Sequence, residues 1–201
     1  MKDRKLLILA EIAIFAAIGF ALDTLQGGYS RGLFPSGGSI GIAMLPVLII
    51  SYRRGLVPGL ICGFILSFIQ LMTGPYFKNP ITILFDYILT YTLVGFAGIF
   101  AKSFRKAKTN GGRMTFLFVG GIVGGLLKFT SHLISGFYWL GDGGTSFLGI
   151  SNNTPLYSLI YNGAYGIPNA IICAIFLVLI YQTMPLIYLV NKISEVKMNE
   201  E

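Results

Sequence analysis

The chain has 201 residues, of which 54% are hydrophobic and 11% are charged, whereas about 25% of the residues of a soluble domain carry charge. This composition excludes an ordinary soluble domain and predicts a single membrane domain covering residues 1–201. The net charge of +7 does not indicate a nucleic-acid partner, because the basic residues are not gathered on a soluble module.

Six apolar runs, separated by charged, Gly, Pro and Asn residues, predict the helices. In chain order they cover about 6–25, 39–52, 56–73, 81–101, 114–137 and 155–190. A helix needs about 20 residues to cross a bilayer, so the short second run must be tilted, irregular or only partly embedded. We therefore expect an all-α integral membrane protein, a six-transmembrane-helix bundle in the lipid bilayer of the cell membrane.

The basic residues predict the orientation of the bundle. Twelve of the fifteen Lys and Arg residues lie near the two termini and in the connections at 53–55 and 102–113, while only Arg31 and Lys78 lie in the other connections. The remaining basic residue, Lys128, lies within an apolar run. Because cytoplasmic segments carry the excess of Lys and Arg, both termini are expected to be cytoplasmic.

Small residues mark the helix faces that approach a neighbour closely. On the first helix Ala13, Ala17 and Ala21 recur every four residues and predict a contact face, either inside the bundle or with another protein. The pairs Gly59/Gly63, Gly120/Gly124 and Gly121/Gly125 repeat this spacing and predict internal packing. The glycine-rich connection 26–38 is either a lid or a flexible connector.

Four polar groups occur at similar depth in three apolar runs: Asp86, Lys128, His132 and Asn162. At 1.5 Å per residue the first three lie roughly 8 to 14 Å from the predicted outer ends of their helices. Ionisable groups at such depth cost about 2.5–3.5 kcal/mol each and usually face the bundle interior. The pattern predicts a polar pocket in the outer half of the membrane, and the alternative is a purely structural Asp86–Lys128 ion pair.

Aromatic residues near the same helix ends, Tyr138, Trp139 and Tyr157, either wall a small-molecule pocket or belong to the aromatic belt of the membrane interface. Tyr157 lies about 140° from Asn162 on an ideal helix, so both reach one pocket only if the helix begins irregularly or the pocket is wide. A lone histidine predicts no metal site, and the chain lacks a Walker motif and a nucleophile elbow. We expect no enzymatic activity and no cofactor.

Several motifs together resemble a known family. They are Gly37-Gly38-Ser39, Leu45-Pro46-Val47, Ser51-Tyr52-Arg53-Arg54-Gly55, Leu84-Phe85-Asp86-Tyr87-Ile88, Leu127-Lys128-Phe129 with His132, Ile134-Ser135-Gly136, and Tyr157-Ser158-Leu159 with Asn162-Gly163. From Leu6 to about Tyr181 the chain is similar to the thiamine-specific S-components (ThiT- or YuaJ-type) of energy-coupling factor (ECF) transporters.

This resemblance implies a plasma-membrane protein of bacteria that captures thiamine from outside. It also implies association with an ECF transmembrane coupling subunit and two ATPase subunits, which use ATP to drive uptake. By position, Asp86 matches the acidic residue near the cationic thiazolium, and Lys128, His132, Tyr157 and Asn162 match pocket residues. The Ala13–Ala17 pair, extended by Ala21, resembles the docking motif for the coupling subunit.

The chain departs from the family pattern at four positions. Gly37 stands where members have a tryptophan, Gly41 where they have an acidic residue, and Phe129 where they have a pocket tyrosine. Trp139 falls one place from the family tryptophan, so Tyr29, Phe34 or Tyr138 are candidates to replace part of the aromatic wall. A thiamine precursor or related pyrimidine remains an alternative ligand. A self-sufficient transporter, with Asp86 or His132 as proton relay, remains an alternative function.

Overall fold

The computed structural model describes residues 2–30, 32–73, 76–141 and 146–185, and in this part the chain forms six helices. We number them α1 (Lys2–Ser30), α2 (Leu45–Arg54), α3 (Leu56–Met72), α4 (Pro80–Lys106), α5 (Asn110–Tyr138) and α6 (Pro155–Thr183). Of these, α1, α4, α5 and α6 are long and apolar enough to cross a membrane. The predicted all-α, six-helix class is confirmed, and the orientation of the termini stays a prediction.

Helix α2 lies at the centre of the bundle, where it contacts α1, α3, α4, α5 and α6. Its residues Leu45 to Tyr52 are all buried. Ten residues span only about 15 Å, half of a hydrocarbon core of about 30 Å, so α2 does not cross the membrane alone. This agrees with the prediction that the short second run is tilted, irregular or only partly embedded, and the apolar side chains of α2 contact the other helices.

Several helix ends differ from the sequence expectations. Helix α1 continues to Ser30, so residues 26–30 of the expected loop are helical and the connection to α2 is shorter than predicted. Helix α2 begins at Leu45 rather than near residue 39, because residues 41–44 form bends and a turn that precede it. Helix α6 ends at Thr183, and residues 186–190 of its predicted apolar run lie outside the described residues.

Glycines let neighbouring helices meet backbone to backbone. A Cβ added at Gly63 of α3 would lie 2.1 Å from the Tyr91 carbonyl oxygen of α4, and one added at Gly125 of α5 would lie 2.4 Å from the Ala170 Cβ of α6. In a bilayer such close approach stabilises helix pairs, since lipid supplies little hydrophobic drive between them. The predicted internal packing of the glycine pairs is confirmed, and it fixes how α4, α5 and α6 are rotated about their axes.

The alanine face of α1 behaves differently from these glycines. Ala13, Ala17 and Ala21 are exposed, whereas Ile12 and Ala16, one position away on the helix, are buried against the bundle. The alternative that the alanine face packs inside the bundle is therefore wrong. It lies on the outer surface of the protein.

Helix α4 is irregular at two places that its sequence pattern did not predict. Residues Leu84–Ile88 form one π-helical turn, and Gly95–Phe100 form a 3-10 segment. The second change occurs where Gly95 and Gly98 lie against the backbone of α3. The first carries Asp86, and π turns inside α-helices frequently occur at functional sites.

Candidate functional site

A cavity of about 840 Å³ opens at one end of the bundle, bounded by α1, α3, α4, α5, α6 and the connection between α1 and α2. This volume lies within the range of small-molecule sites, about 300–1,000 Å³. Its lining combines acidic, basic, amide, hydroxyl and aromatic side chains: Asp23, Phe34, Ser36, Ser39, Gln70, Tyr76, Asp86, Tyr87, Thr90, Tyr91, Lys128, His132, Trp139, Asn152, Tyr157, Ser158, Tyr161 and Tyr165.

Asp86 lies in the π turn of α4, and its carboxylate is held by two side chains of α5 and by the tryptophan that directly follows this helix. His132 Nδ1 lies 3.1 Å from Asp86 Oδ1, while the Ser135 hydroxyl and the Trp139 indole N–H donate to Oδ2 over 2.5 and 3.3 Å. The turn itself is also tied to α5, because the Ser131 hydroxyl donates to the Phe85 carbonyl oxygen over 2.5 Å. The carboxylate is thus fixed in position at the cavity wall.

Helix α5 presents Lys128 and His132 to the cavity because these residues, four apart, share one helical face, and Trp139 lines the cavity directly after the end of the helix. The Lys128 ammonium lies 3.8 Å from the centre of the Tyr91 ring, in cation–π geometry. Within the described chain Asp86 and Lys128 form no salt bridge, since the ionisable partner of Asp86 is His132. The alternative of a structural Asp86–Lys128 ion pair is wrong.

Asp23 is a second cavity carboxylate, which the sequence analysis missed. Its Oδ1 accepts from the Tyr91 hydroxyl over 2.5 Å and from Gln26 Nε2 over 3.2 Å, and its Oδ2 accepts from Gln70 Nε2. These bonds join α1, α3 and α4 at the cavity wall. An acidic residue inside the first apolar run was the available signal, the same signal that singled out Asp86.

Aromatic rings form two groups around the cavity. On α6, Tyr157 stacks on Tyr161 with ring centres 5.4 Å apart and planes 16° from parallel. Across the cavity mouth, Tyr76 stacks on Trp139 with ring centres 5.2 Å apart and planes at 15°. Rings of this kind offer flat faces to an aromatic or cationic ligand.

Three of the predicted site residues do not line the cavity. Asn162 is buried behind the tyrosines of α6, where its Nδ2 donates to the Ser158 carbonyl oxygen over 2.9 Å and its Oδ1 accepts from the Tyr165 hydroxyl over 2.5 Å. Phe129 lies beside the glycines of α6, and Tyr138 faces outward with 42% of its surface exposed. Because α6 begins regularly at Pro155, only Tyr157 of the Tyr157/Asn162 pair reaches the cavity.

The connection between α1 and α2 forms one wall of the cavity and is anchored along its length. The Tyr161 hydroxyl accepts from the Ser36 N–H over 2.9 Å and donates to the Gly37 carbonyl oxygen over 2.8 Å. Further along, Asn169 of α6 donates to the Ser39 carbonyl oxygen over 2.6 Å and accepts from the Gly41 N–H over 2.7 Å. These bonds are not those of a flexible connector, and the role of the connection as a lid stays a prediction.

The positions that depart from the family pattern have distinct surroundings. Gly37 lines the cavity with open space around it. A Cβ at Gly41 would lie 2.2 Å from Gln26 Oε1, so this chain has no room for an acidic side chain there. Among the candidate replacements for the missing aromatic wall, Phe34 lines the cavity, whereas Tyr29 is 66% exposed and lies outside it.

The charges around the cavity favour a positively charged ligand. Its described lining holds two carboxylates, Asp23 and Asp86, and one lysine ammonium, Lys128. In the part of the chain that the structure describes, no group of three or more His, Cys, Asp or Glu side chains is placed to hold a metal ion. Such a lining is suited to an organic cation.

The fold and this cavity define the protein as a multi-pass membrane protein with a polar and aromatic cavity of small-molecule size at one end of its bundle. A family model described as thiamine transporter protein (Thia_YuaJ) matches residues 9–189. The chain belongs to this thiamine transporter family, as its motifs predicted.

Known relatives agree with this assignment. The thiamine transporter ThiT of Bacillus subtilis (strain 168) is 37% identical over 188 residues, which cover 92% of this chain and 95% of that protein. The thiamine transporter ThiT of Lacticaseibacillus paracasei is 29% identical over 169 residues, 81% and 80% of the two chains. A solved structure of ThiT from Listeria monocytogenes matches with a TM-score of 0.75 at 25% identity, covering 92% of this chain and 98% of that one. These relatives are named as transporters, so the chain is a transport protein rather than an enzyme.

Proposed function

We propose that this protein captures thiamine in the cavity beside Asp86, as the substrate-binding S-component of an ECF transporter. The observation that carries the proposal is the Asp86 carboxylate, held at the wall of a cavity whose described lining has two carboxylates against one ammonium. Thiamine carries a fixed positive charge on its thiazolium ring, and at short range a carboxylate attracts such a charge strongly. The membership of the chain in a thiamine transporter family supports the same ligand.

The aromatic groups supply the second part of the recognition. Thiamine has two aromatic rings, and the Tyr157–Tyr161 stack and the Tyr76–Trp139 stack offer faces on both sides of the cavity. Serine, amide and tyrosine groups between them supply hydrogen-bond partners for the aminopyrimidine edge. In this proposal Lys128, His132 and Tyr157 contact the ligand, and Asn162 and Phe129 act by holding α6 and its tyrosines in place.

The S-component role rests on the exposed alanine face of α1. Ala13, Ala17 and Ala21 form a smooth strip on the outer surface, and small residues at such spacing let another membrane helix approach closely. We assign this strip to docking with the ECF transmembrane coupling subunit, whose two ATPase subunits supply the energy. The protein itself contributes ligand capture.

Ligand capture is tested by titrating the purified protein with thiamine and following its tryptophan fluorescence. Trp139 is the only tryptophan of the chain and lines the cavity, so a bound ligand changes the emission directly. We expect saturable binding of thiamine and weaker binding of its neutral aminopyrimidine half. Tighter binding of the pyrimidine would instead favour the alternative of a pyrimidine or thiamine precursor as substrate.

One observation favours a second candidate function, a self-sufficient proton-coupled transporter. Asp86 and His132 are in direct contact inside the membrane region, and such pairs serve as proton relays in secondary transporters. Reconstitution separates the two candidates. The S-component proposal expects uptake only in vesicles that also contain the coupling and ATPase subunits with ATP, whereas uptake by this protein alone, driven by a proton gradient, contradicts it.

A further inference from the structure

A second cavity, of about 560 Å³, lies at the end of the bundle opposite the first, between the α2–α3 turn and the last turns of α4. Three basic side chains line it, Arg54, Lys102 and Arg105, and its described lining holds no acidic side chain. The proposed function uses none of these groups. They form a concentration of positive charge at one point between membrane helices.

The nearby acidic residue does not neutralise this charge. The carboxylate of Glu11 accepts from both Arg53 and Arg54, with nitrogen–oxygen distances of 2.8 and 2.6 Å, so one negative charge is shared by two guanidinium groups. Arg105 donates to the Tyr52 carbonyl oxygen over 2.9 Å, a neutral acceptor that leaves its charge intact. The exposed Lys102 ammonium forms no ion pair within the described residues. The excess positive charge is suited to an anion.

The start of α3 adds backbone donors at the same place. Gly55 precedes this 17-residue helix, and no side chain caps it. The first N–H groups of a helix have no partner within the helix and, with the helix dipole, favour a phosphate group; in α3 these groups are those of Leu56 and Val57, because the third residue, Pro58, has no N–H. The basic side chains and the start of α3 thus present donors to one anionic group.

Exposed apolar side chains at the edge of this cavity indicate a lipid rather than a free ion. Val57 and Ile99 line it with 62% and 57% of their surfaces exposed; Val57 belongs to the apolar helix α3, and Ile99 to α4, which is long enough to cross a membrane. If the phosphate of a lipid bound the basic side chains, the acyl chains of that lipid would lie along Val57 and Ile99. Basic pockets between membrane helices on the cytoplasmic side are known to bind anionic headgroups, and the predicted orientation puts this end there.

We propose that this cavity is a binding site for the phosphate headgroup of an anionic membrane lipid, with Lys102 and Arg105 contacting the phosphate. The site is separate from ligand capture at the other end of the bundle. The bound lipid would hold the α2–α3 turn and the end of α4 at the negatively charged leaflet of the membrane. This contact would fix the depth and tilt of the bundle in the bilayer.

The test uses the full-length protein in a non-ionic detergent. Dihexanoyl phosphatidylglycerol is added below its micelle-forming concentration, and native mass spectrometry measures the bound fraction. Dihexanoyl phosphatidylcholine and inorganic phosphate are titrated in parallel. Each basic residue near an anionic surface contributes about 1 kcal/mol, so Lys102→Gln is expected to weaken phosphatidylglycerol binding about fivefold.

The matched control is Lys106→Gln, which removes an equal charge one helical turn further on, outside the cavity lining. We expect it to bind phosphatidylglycerol like the unaltered protein, and both variants to keep their thiamine affinity. Arg105→Gln is a second variant that should reproduce the loss. Equal losses in Lys102→Gln and Lys106→Gln, binding of phosphatidylcholine as tight as phosphatidylglycerol, or binding of inorganic phosphate as tight as the lipid would each overturn the proposal.

Discussion

Replacing Asp86 by asparagine removes one negative charge from the cavity wall and keeps the shape of the side chain. The amide oxygen can still accept from Ser135 and Trp139, so the local packing of α4 on α5 is largely retained. The expected loss is therefore electrostatic, and it should fall on the charged half of the proposed ligand.

The structure sets the size of this effect. Two unit charges about 4 Å apart interact by about 4 kcal/mol at an effective dielectric constant near 20. Asp86 keeps 22% of its side-chain surface exposed, so water weakens the interaction further. We expect a loss of about 2–3 kcal/mol for thiamine, about 30- to 150-fold in the dissociation constant.

Isothermal titration calorimetry measures this loss without relying on Trp139, whose indole contacts Asp86. Thiamine and its neutral aminopyrimidine half are titrated into the unaltered protein and into Asp86→Asn. The reasoning requires a large loss for thiamine and little change for the pyrimidine. Equal fold-losses for both ligands would remove Asp86 from the role of a charge partner.

Ser135→Ala is the matched control, because it disturbs the position of the Asp86 carboxylate without removing its charge. It removes the hydroxyl that donates to Asp86 Oδ2 over 2.5 Å and leaves the carboxylate charged. One hydrogen bond contributes about 1 kcal/mol net, so we expect a smaller loss of affinity and a preserved preference for thiamine over the neutral pyrimidine.

Three further predictions concern the lid, the docking face and the aromatic stack. Gly38→Ala places a Cβ 2.4 Å from a tyrosine ring of α6, and we expect thermal unfolding to show a stability loss of about 2–4 kcal/mol. Ala17→Trp is expected to keep thiamine binding and abolish ATP-driven uptake in reconstituted vesicles, because the residue is exposed on α1. Tyr76→Ala uncovers the indole on which the tyrosine stacks, so acrylamide quenching of tryptophan fluorescence should increase.

Each of these variants has its own comparison. Gly37 has a positive φ of 97°, close to the 100° of Gly38, but a Cβ added at Gly37 meets no atom within 4 Å. Gly37→Ala should therefore lower the free energy of unfolding by only about 1–2 kcal/mol. Equal losses for both glycines would contradict the steric explanation. Ala16→Trp introduces the same side chain at a fully buried position and should unfold the protein. Loss of thiamine binding in Ala17→Trp would instead show that the alanine face of α1 serves internal packing. Unchanged quenching in Tyr76→Ala would mean that the stack does not cover the indole in solution.

Much of the fold followed from hydropathy and glycine spacing. Long apolar runs form membrane helices because a bilayer leaves the backbone no partner except itself. Glycine pairs mark close helix contacts because a residue without a side chain lets two backbones approach closely in lipid, as Gly63 does against α4. For helix α2 the sequence predicted a short helix but not its central position, since a short apolar run looks the same whether lipid or protein surrounds it.

The site was predicted in part, and the division has a physical reason. Asp86, Lys128 and His132 were identifiable from the chain alone, because the cost of placing an ionisable group in an apolar run depends on local sequence. Asp23 carries the same signal and was overlooked. The sequence did not show that Asp86 contacts His132 rather than Lys128, since this contact depends on how α4 and α5 are rotated against each other.

Only the tertiary structure decided which side chains meet. The π turn at Leu84–Ile88 brings Asp86 to His132 and leaves Lys128 over Tyr91. The rotation of α6, set by its close contact with the glycines of α5, directs Tyr157 into the cavity and Asn162 behind it. The sequence by itself determined that this is a membrane protein with costly polar groups buried at one end. The packing of helix on helix, which joins residues far apart in the chain, determined the cavity that those groups form.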